Sequence, residues 1–286
     1  YSAVGLDFQN DANFTNTAQA MVALAAGQLD MGVVTMGAAA FNAFNRGADF
    51  KMVASLNQEP PGHGSFTPVI VRTDLYDSGA LRTPAQLKGH KVAITGAGTV
   101  IEYGLGKILT DNGLKPSDVE TVVIPAPTDQ ILALANKSVD AAMPFEPIAS
   151  QAIQKGVAKM LSDDYEQNAQ LATISVNTKW AASNKDAIVK FLTVYVKQVR
   201  SLDDGQIKTD AAALAAIQKW IKVPPAVVKT GPDPFWPKDG RLNLQSLQDE
   251  QTFFLNNKSV DYTQPLPTDK LVDEQYITEA LKQIGS

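Results

Sequence analysis

The chain has 286 residues, 44% of them hydrophobic and 19% charged, with 25 Lys and Arg against 30 Asp and Glu, a net charge of −5. It is long enough for two ordinary domains and too apolar for a disordered chain, and its acidic balance argues against nucleic acid as the main partner. The absence of cysteine excludes disulfides, zinc thiolates, iron–sulfur clusters and thiol nucleophiles, and no apolar stretch reaches bilayer-spanning length.

Tyr1 to Leu6 lacks the basic start and apolar core of a signal peptide, so the chain is expected to be cytosolic or to have lost that segment. Val4 to Phe8 is expected as a strand. Thr15 to Ala26 has the period of an amphipathic helix, with Thr15 or Asn16 as cap and Gly27 as stop. Leu29 to Val34 reads as a short buried strand, 37–45 as a helix closed by Gly47, and Phe50 to Leu56 as another strand. A loop rich in proline and glycine, Asn57 to Ser65, leads to a strand over Thr67 to Arg72.

Thr83 caps a helical turn that opens on Pro84. Lys91 to Ile94 is expected as a strand running into Thr95-Gly96-Ala97-Gly98. Thr99 is the expected cap of a helix over Val100 to Asn112, and Glu102 stands at the spacing of a capping box. Strands are expected over Val119 to Pro125 and Leu171 to Asn177. Helices are expected over 184–202, 210–222, 244–256 and 273–284, with a rigid aromatic loop, Gly231 to Pro237, between the second and third.

One pattern occurs twice, 110 residues apart. Ala23-Leu24-Ala25-Ala26-Gly27-Gln28-Leu29-Asp30 is echoed by Ala133-Leu134-Ala135-Asn136-Lys137-Ser138-Val139-Asp140. Each copy continues as a short strand, a helix, a glycine stop (Gly47, Gly156) and a strand. Alternating strands and helices imply open α/β sheets, and the duplication implies two similar lobes. The fold class expected is α/β, two Rossmann-like lobes with a ligand cleft between them. Lobe I is expected to take 1–90 plus 175–286, and lobe II 91–174.

In open α/β sheets ligands sit beyond the carboxyl ends of strands, often at helix N-termini. That rule selects Thr35 and Met36 in the first copy and Phe145 and Glu146 in the second, which align at the same offset. Glu146 has a second reading, as a partner of the helix dipole alone. Gly98 and Thr99 open a helix and form a generic anion cradle, or a tight turn that binds nothing. No Lys-Ser/Thr follows the glycines, so this is not a P-loop.

His63 and Ser65 lie in the loop before a strand, where hydrogen bonds to a ligand are expected. No Gly-x-Ser-x-Gly elbow accompanies them. His90, in a basic turn, is expected to be solvated, and two distant histidines without cysteine make no metal site. Trp236, between prolines, either stacks on a ligand or packs as a cap. No catalytic residue, metal or cofactor is assigned.

The run Ala23 to Asp30, the segment Gly47 to Val53 and Thr83-Pro84-Ala85-Gln86-Leu87-Lys88-Gly89-His90-Lys91-Val92-Ala93 resemble substrate-binding proteins of ABC transporters of the nitrate/sulfonate/taurine type. Leu109 to Gly113, Asp118-Val119 and Val139 to Pro147 extend the resemblance in order along nearly the whole chain. It implies a two-lobed periplasmic binding protein of type II that delivers a small ligand to a membrane permease without catalysis, with ligand contacts in the loops Thr35-Met36, Asn57 to Ser65, Gly98-Thr99 and Phe145-Glu146, so that Asn57 joins the expected contacts. The expected location is periplasmic, or extracellular and membrane-anchored, and the expected state is monomeric. Members of that group begin with a strand and a helix before the position matching Tyr1, so lobe I is expected to lack them. A small organic anion is the expected ligand, a sulfonate or aromatic carboxylate before nitrate. The alternatives are an enzyme resembling the thiamine-pyrimidine synthases and a ligand-sensing domain on the same fold.

Overall fold

A computed structural model describes residues 1–9, 17–62, 64–164, 166–202, 206–220, 224–233 and 235–285. After a 3-10 turn at Ser2–Val4 the chain forms α1 (Thr17–Ala25), β1 (Met31–Thr35), α2 (Ala38–Asn45), β2 (Phe50–Gln58), β3 (Val69–Arg72) and α3 (Thr73–Asp77). It continues with β4 (Lys91–Ile94), α4 (Val100–Asp111), β5 (Glu120–Val123), α5 (Pro127–Ala135), β6 (Ala141–Ala142), α6 (Ile148–Gln154), β7 (Ala158–Ser162) and β8 (Gln170–Asn177). Helices α7 (Thr178–Ala181), α8 (Lys185–Ser201), α9 (Ala211–Trp220), α10 (Pro225–Val228), α11 (Leu244–Asn256), α12 (Thr268–Leu271) and α13 (Gln275–Ile284) complete it.

The elements fall into two units. Unit one comprises Tyr1–Gln58, Asn168–Leu202 and Phe235–Ser286, and unit two Glu59–Gln167 and Asp203–Pro234. These boundaries differ from the expected 1–90, 91–174 and 175–286. The reason is β3, expected in lobe I. It lies between β6 and β7 and is hydrogen-bonded to both, which places it in the sheet of unit two. The segment after α8 also joins unit two before the chain returns at Phe235. The strand expected over Val4 to Phe8 is absent, and Tyr1 and Phe8 instead stack with Phe191.

Unit one holds a three-stranded sheet in the order β1-β8-β2, with β8 antiparallel to both neighbours. Every residue of β8 is buried, because helices cover both of its faces. On one face α8 and α13 contribute Ile188, Leu192, Val196, Ile277 and Ala280 against Val53, Ala54, Ile174 and Val176. These side chains recur at helical spacing, and fully burying one the size of Ile277 contributes about 1.5–3 kcal/mol. Polar residues of β8 are satisfied internally. The Gln170 amide donates to Ser55 Oγ, Asn57 O and Ala172 O at 3.0, 3.1 and 2.8 Å. Its Oε1 accepts from Gln58 Nε2 and Asn243 N at 3.2 and 3.1 Å.

Unit two holds five strands in the order β5-β4-β6-β3-β7. β4 runs parallel to β5 and β6, and β3 antiparallel to β6 and β7. Small residues (Ala93, Ala133, Ala142, Ala149, Ala152 and Ala158) let α5 and α6 approach the sheet closely. At the turn before β4 Thr83 caps as expected, within a capping box in which Gln86 Oε1 accepts from Thr83 N at 3.1 Å.

The sequence repeat is a repeat of structure. In unit one β1 and β2 flank β8, and in unit two β6 and β7 flank β3. Met31 pairs with Val176 as Ala141 pairs with Val71. The hydrogen bonds correspond as well. Met36 N donates to Leu171 O at 3.0 Å, and Glu146 N to Phe66 O at 2.9 Å. Asn177 N donates to Asp30 O at 2.9 Å, and Arg72 N to Asp140 O at 3.0 Å. Thr178 N reaches Asp49 O at 3.0 Å, and Thr73 N reaches Val157 O at 3.4 Å.

Candidate functional site

In unit two Gly98 and Thr99 follow β4, and Phe145 and Glu146 follow β6, at the carboxyl ends of two parallel neighbouring strands. Ile94 ends β4, and the loop Thr95 to Thr99 turns directly into α4. Gly98 has φ 69°, a left-handed conformation that glycine adopts without a Cβ penalty. Thr99 stands at the N-cap but makes no side-chain cap. Its Oγ1 donates to Gly96 O at 2.7 Å, tightening the loop. The N–H groups of the first turn of α4 therefore point beyond the helix without a side-chain acceptor among the described residues, at the positive end of its dipole. Glu102 departs from the capping box that its spacing predicts. Its carboxylate accepts the Gly98 N–H at 2.7 Å, so the cradle carries an acceptor of its own.

After β6 the chain presents Phe145 and Glu146. Phe145 is half-buried, with its ring 6.0 Å from that of Phe66. Glu146 is 5% exposed. Its carboxylate accepts Ser150 N and Ser150 Oγ, both at 3.0 Å. Burial pushes the Glu146 carboxyl above the usual range, against the Ser150 bonds and the Lys208 charge that pull it down. Its second reading, as a group that serves its own helix, accounts for both bonds. Gly231 packs on this carboxylate so closely that a Cβ there would meet Oε2 at 2.5 Å.

Ser65 is 4% exposed, and its hydroxyl is spent on the fold. It donates to Glu59 Oε2 and accepts Thr67 N, both at 2.9 Å. Glu59 also accepts Phe66 N at 2.8 Å and Thr67 Oγ1 at 2.5 Å, so one buried carboxylate shapes the whole loop. His63 lies outside the described residues.

In unit one Thr35 and Asn57 both pair with Ala172 of β8, from opposite sides, so the register brings them to one row of the sheet. Asn57 Oδ1 is a buried acceptor that no donor among the described residues reaches. Trp236 is half-buried. Its neighbour Phe235 is pinned to the end of β2, where its carbonyl accepts Gln58 N at 2.9 Å. Met36 is 1% exposed. Its side chain belongs to the core, and its N–H is committed to Leu171 O.

His90 is not free in solvent as expected. Its Nδ1 lies 3.0 Å from Asp140 Oδ2, at the opposite end of the sheet from Thr99. Among the described residues no group of three or more His, Cys, Asp or Glu is placed to hold a metal ion. No helix among them is long and apolar enough to cross a membrane. Sequence reasoning missed Glu59, Gln170 and Gly231. The Glu59-to-Thr67 spacing is a weak signal, and Gly231 carries the mark of glycine before proline.

The sequence model of NMT1/THI5-like proteins matches residues 1–200. The chain belongs to the NMT1/THI5-like family. Among solved structures it is similar to the periplasmic aliphatic sulphonate binding protein SsuA from Escherichia coli. Identity there is 22% over 91% of this chain and 80% of that one, with a TM-score of 0.70. The periplasmic nitrate-binding protein NrtA from Synechocystis PCC 6803 is 17% identical over 95% and 79%, with a TM-score of 0.66. The desulfurization enzyme DSZB is 15% identical over 99% and 92%, with a TM-score of 0.65. At these identities the likeness is one of fold, and this family member shares its α/β architecture with periplasmic binding proteins. A search of curated protein sequences returned no match.

Proposed function

We propose that the chain is a solute-binding protein that captures a small organic anion and delivers it to an ABC permease. The favoured ligand is a sulfonate or aromatic carboxylate, before nitrate. The observation that carries this reading is the start of α4, at the carboxyl end of a parallel strand, where Thr99 stands at the N-cap without capping the first turn. In unit two the proposed contacts are Gly98, Thr99 and the Phe145 ring, with Glu146 holding the loop that presents it. In unit one Thr35, Asn57 and Trp236 are the proposed contacts. The sulfonate- and nitrate-binding proteins of the same fold support the ligand class. The proposed location is the periplasm or the outer face of a membrane, and the proposed state is monomeric.

The test is a thermal-shift screen with alkyl and aryl sulfonates, nitrate, aromatic carboxylates and pyrimidines, followed by mass spectrometry of the recovered ligand. A ligand at a hundredfold its Kd stabilises by about 2.7 kcal/mol. A saturable shift from a sulfonate or carboxylate returned unchanged is the expected result. Conversion of a pyrimidine precursor or a sulfinate would establish an enzyme instead. A shift from amines alone would overturn the anion.

A further inference from the structure

At one pair of matched positions, Asn177 and Arg72, the two units differ in whether a side chain bridges the neighbouring segments. In unit one the Asn177 carboxamide joins three segments. Its Nδ2 donates to Leu24 O at 2.9 Å and Asp49 O at 3.0 Å. Its Oδ1 accepts Lys179 N at 3.1 Å and Trp180 N at 3.0 Å. The register that pairs Phe50 with Asn177 pairs Ala158 with Arg72, so Arg72 is the counterpart of Asn177 in unit two. Leu134 then matches Leu24, and Val157 matches Asp49.

Arg72 does not reproduce the bridge. Its guanidinium turns to Asp74, through Nε at 3.0 Å and Nη2 at 3.1 Å, and to Asp140 at 3.3 Å. It makes no side-chain cap on the turn that follows. Around the matched position unit two has an open surface groove of about 290 Å³ lined by Arg72, Thr73, Asp74, Leu134, Lys137 and Val157. The Val157 carbonyl accepts one backbone N–H, from Thr73 at 3.4 Å, and the Leu134 carbonyl accepts Lys137 N at 3.2 Å and the Asn136 N–H at the end of α5. A carbonyl oxygen has two lone pairs, so Val157 retains one.

We infer that this groove of unit two binds a small molecule through a primary carboxamide, whose NH₂ bridges the Leu134 and Val157 carbonyls as the Asn177 side chain bridges their counterparts. Arg72 and Lys137 line the same space and are the donors for the amide oxygen. A carboxylate of the same shape has no N–H to offer the two carbonyls, and the attraction of Arg72 and Lys137 is opposed by Asp74, which their bonds hold ionised. A free ammonium meets two cations. The neutral amide, donor on one side and acceptor on the other, is the group that suits the lining. The groove lies at the end of β3 where Arg72 N bonds Asp140 O, the opposite edge of the sheet from Phe145 and Thr99. It is therefore a second site, and it stands whether or not the proposed transport function does.

The experiment is an amide-resolved NMR titration of the full chain with acetamide and nicotinamide, and with nicotinate as the isosteric acid. The expected result is saturable shifts at residues 73–75, 134–137 and 157 with both amides and none there with nicotinate. Arg72→Asn, which supplies an internal carboxamide, should weaken amide binding by about tenfold or more. Ala135→Leu, a change at an exposed position on the rim, should do the same and guards against misfolding of the first variant. No saturable shift with either amide, equal shifts with nicotinate, or shifts confined to 96–99 and 145–146 would overturn the inference.

Discussion

Gly231 lies against the carboxylate of Glu146, with no room between them for a methyl group. A Cβ at residue 231 would fall 2.5 Å from Oε2 and 3.2 Å from the Pro147 Cα. The carboxylate cannot simply swing away, because both its oxygens hold Ser150. Gly231→Ala should therefore cost about 1–3 kcal/mol in denaturant unfolding, the usual range for overpacking. Combined with Glu146→Ala the cost should be clearly less than additive, since the clashing group is gone. Additive effects would mean the contact is not strained by the methyl.

Glu146 also sets a pH dependence. Burial raises its folded-state pKa above the unfolded value of 4.5. In that window the folded state binds more protons than the unfolded, so stability falls as pH rises from 4.5 through the folded pKa and is then level. Glu146→Gln keeps an acceptor for Ser150 and cannot ionise. Its unfolding free energy should lack that decline, which urea titrations at several pH values would show. A decline of the same size in both proteins would remove Glu146 as its source.

Glu102 accepts the N–H that the anion cradle would otherwise offer. An anion arriving at the start of α4 must replace that carboxylate or tolerate its charge. Glu102→Gln should tighten sulfonate or carboxylate binding by about fivefold, close to 1 kcal/mol, with the effect shrinking as salt is added. Calorimetry at low and high ionic strength reads both. Weaker binding in the variant would place the anion elsewhere.

Gln170 lies at the centre of the buried polar network of unit one and is fully buried. Its removal strands several partners at once. Gln170→Ala should cost about 3 kcal/mol or more, because unsatisfied buried groups carry their full desolvation penalty. Since its amide donates to the Asn57 carbonyl, the same variant should lower ligand affinity through Asn57. A stable variant with unchanged affinity would separate Asn57 from the site.

The element pattern was legible in the chain itself. Helical periods over α4, α8, α11 and α13, glycine stops at Gly27, Gly47, Gly113 and Gly156, and the Thr83 cap are local features with local physical causes. So was the duplication, because each copy repeats the same alternation of helix, turn and strand. The α/β class follows from that order of elements, the family resemblance is carried by the sequence runs themselves, and the sheets and the family match bear them out.

Tertiary structure decided what long-range pairing controls. Nothing in Val69–Arg72 says that it enters the second sheet between β6 and β7, because a strand's partners are chosen by hydrogen bonds to segments distant in sequence. The same holds at the candidate site. Met36 and Ser65 look like ligand contacts in one dimension, yet register buries the first and Glu59 takes the hydroxyl of the second. Glu102 has capping-box spacing, but the turn at Gly98 presents a nearer N–H to its carboxylate. Sequence settles which backbone states and which buried faces are available. Which side chains keep a free hydrogen-bonding group depends on the neighbours that folding brings to them.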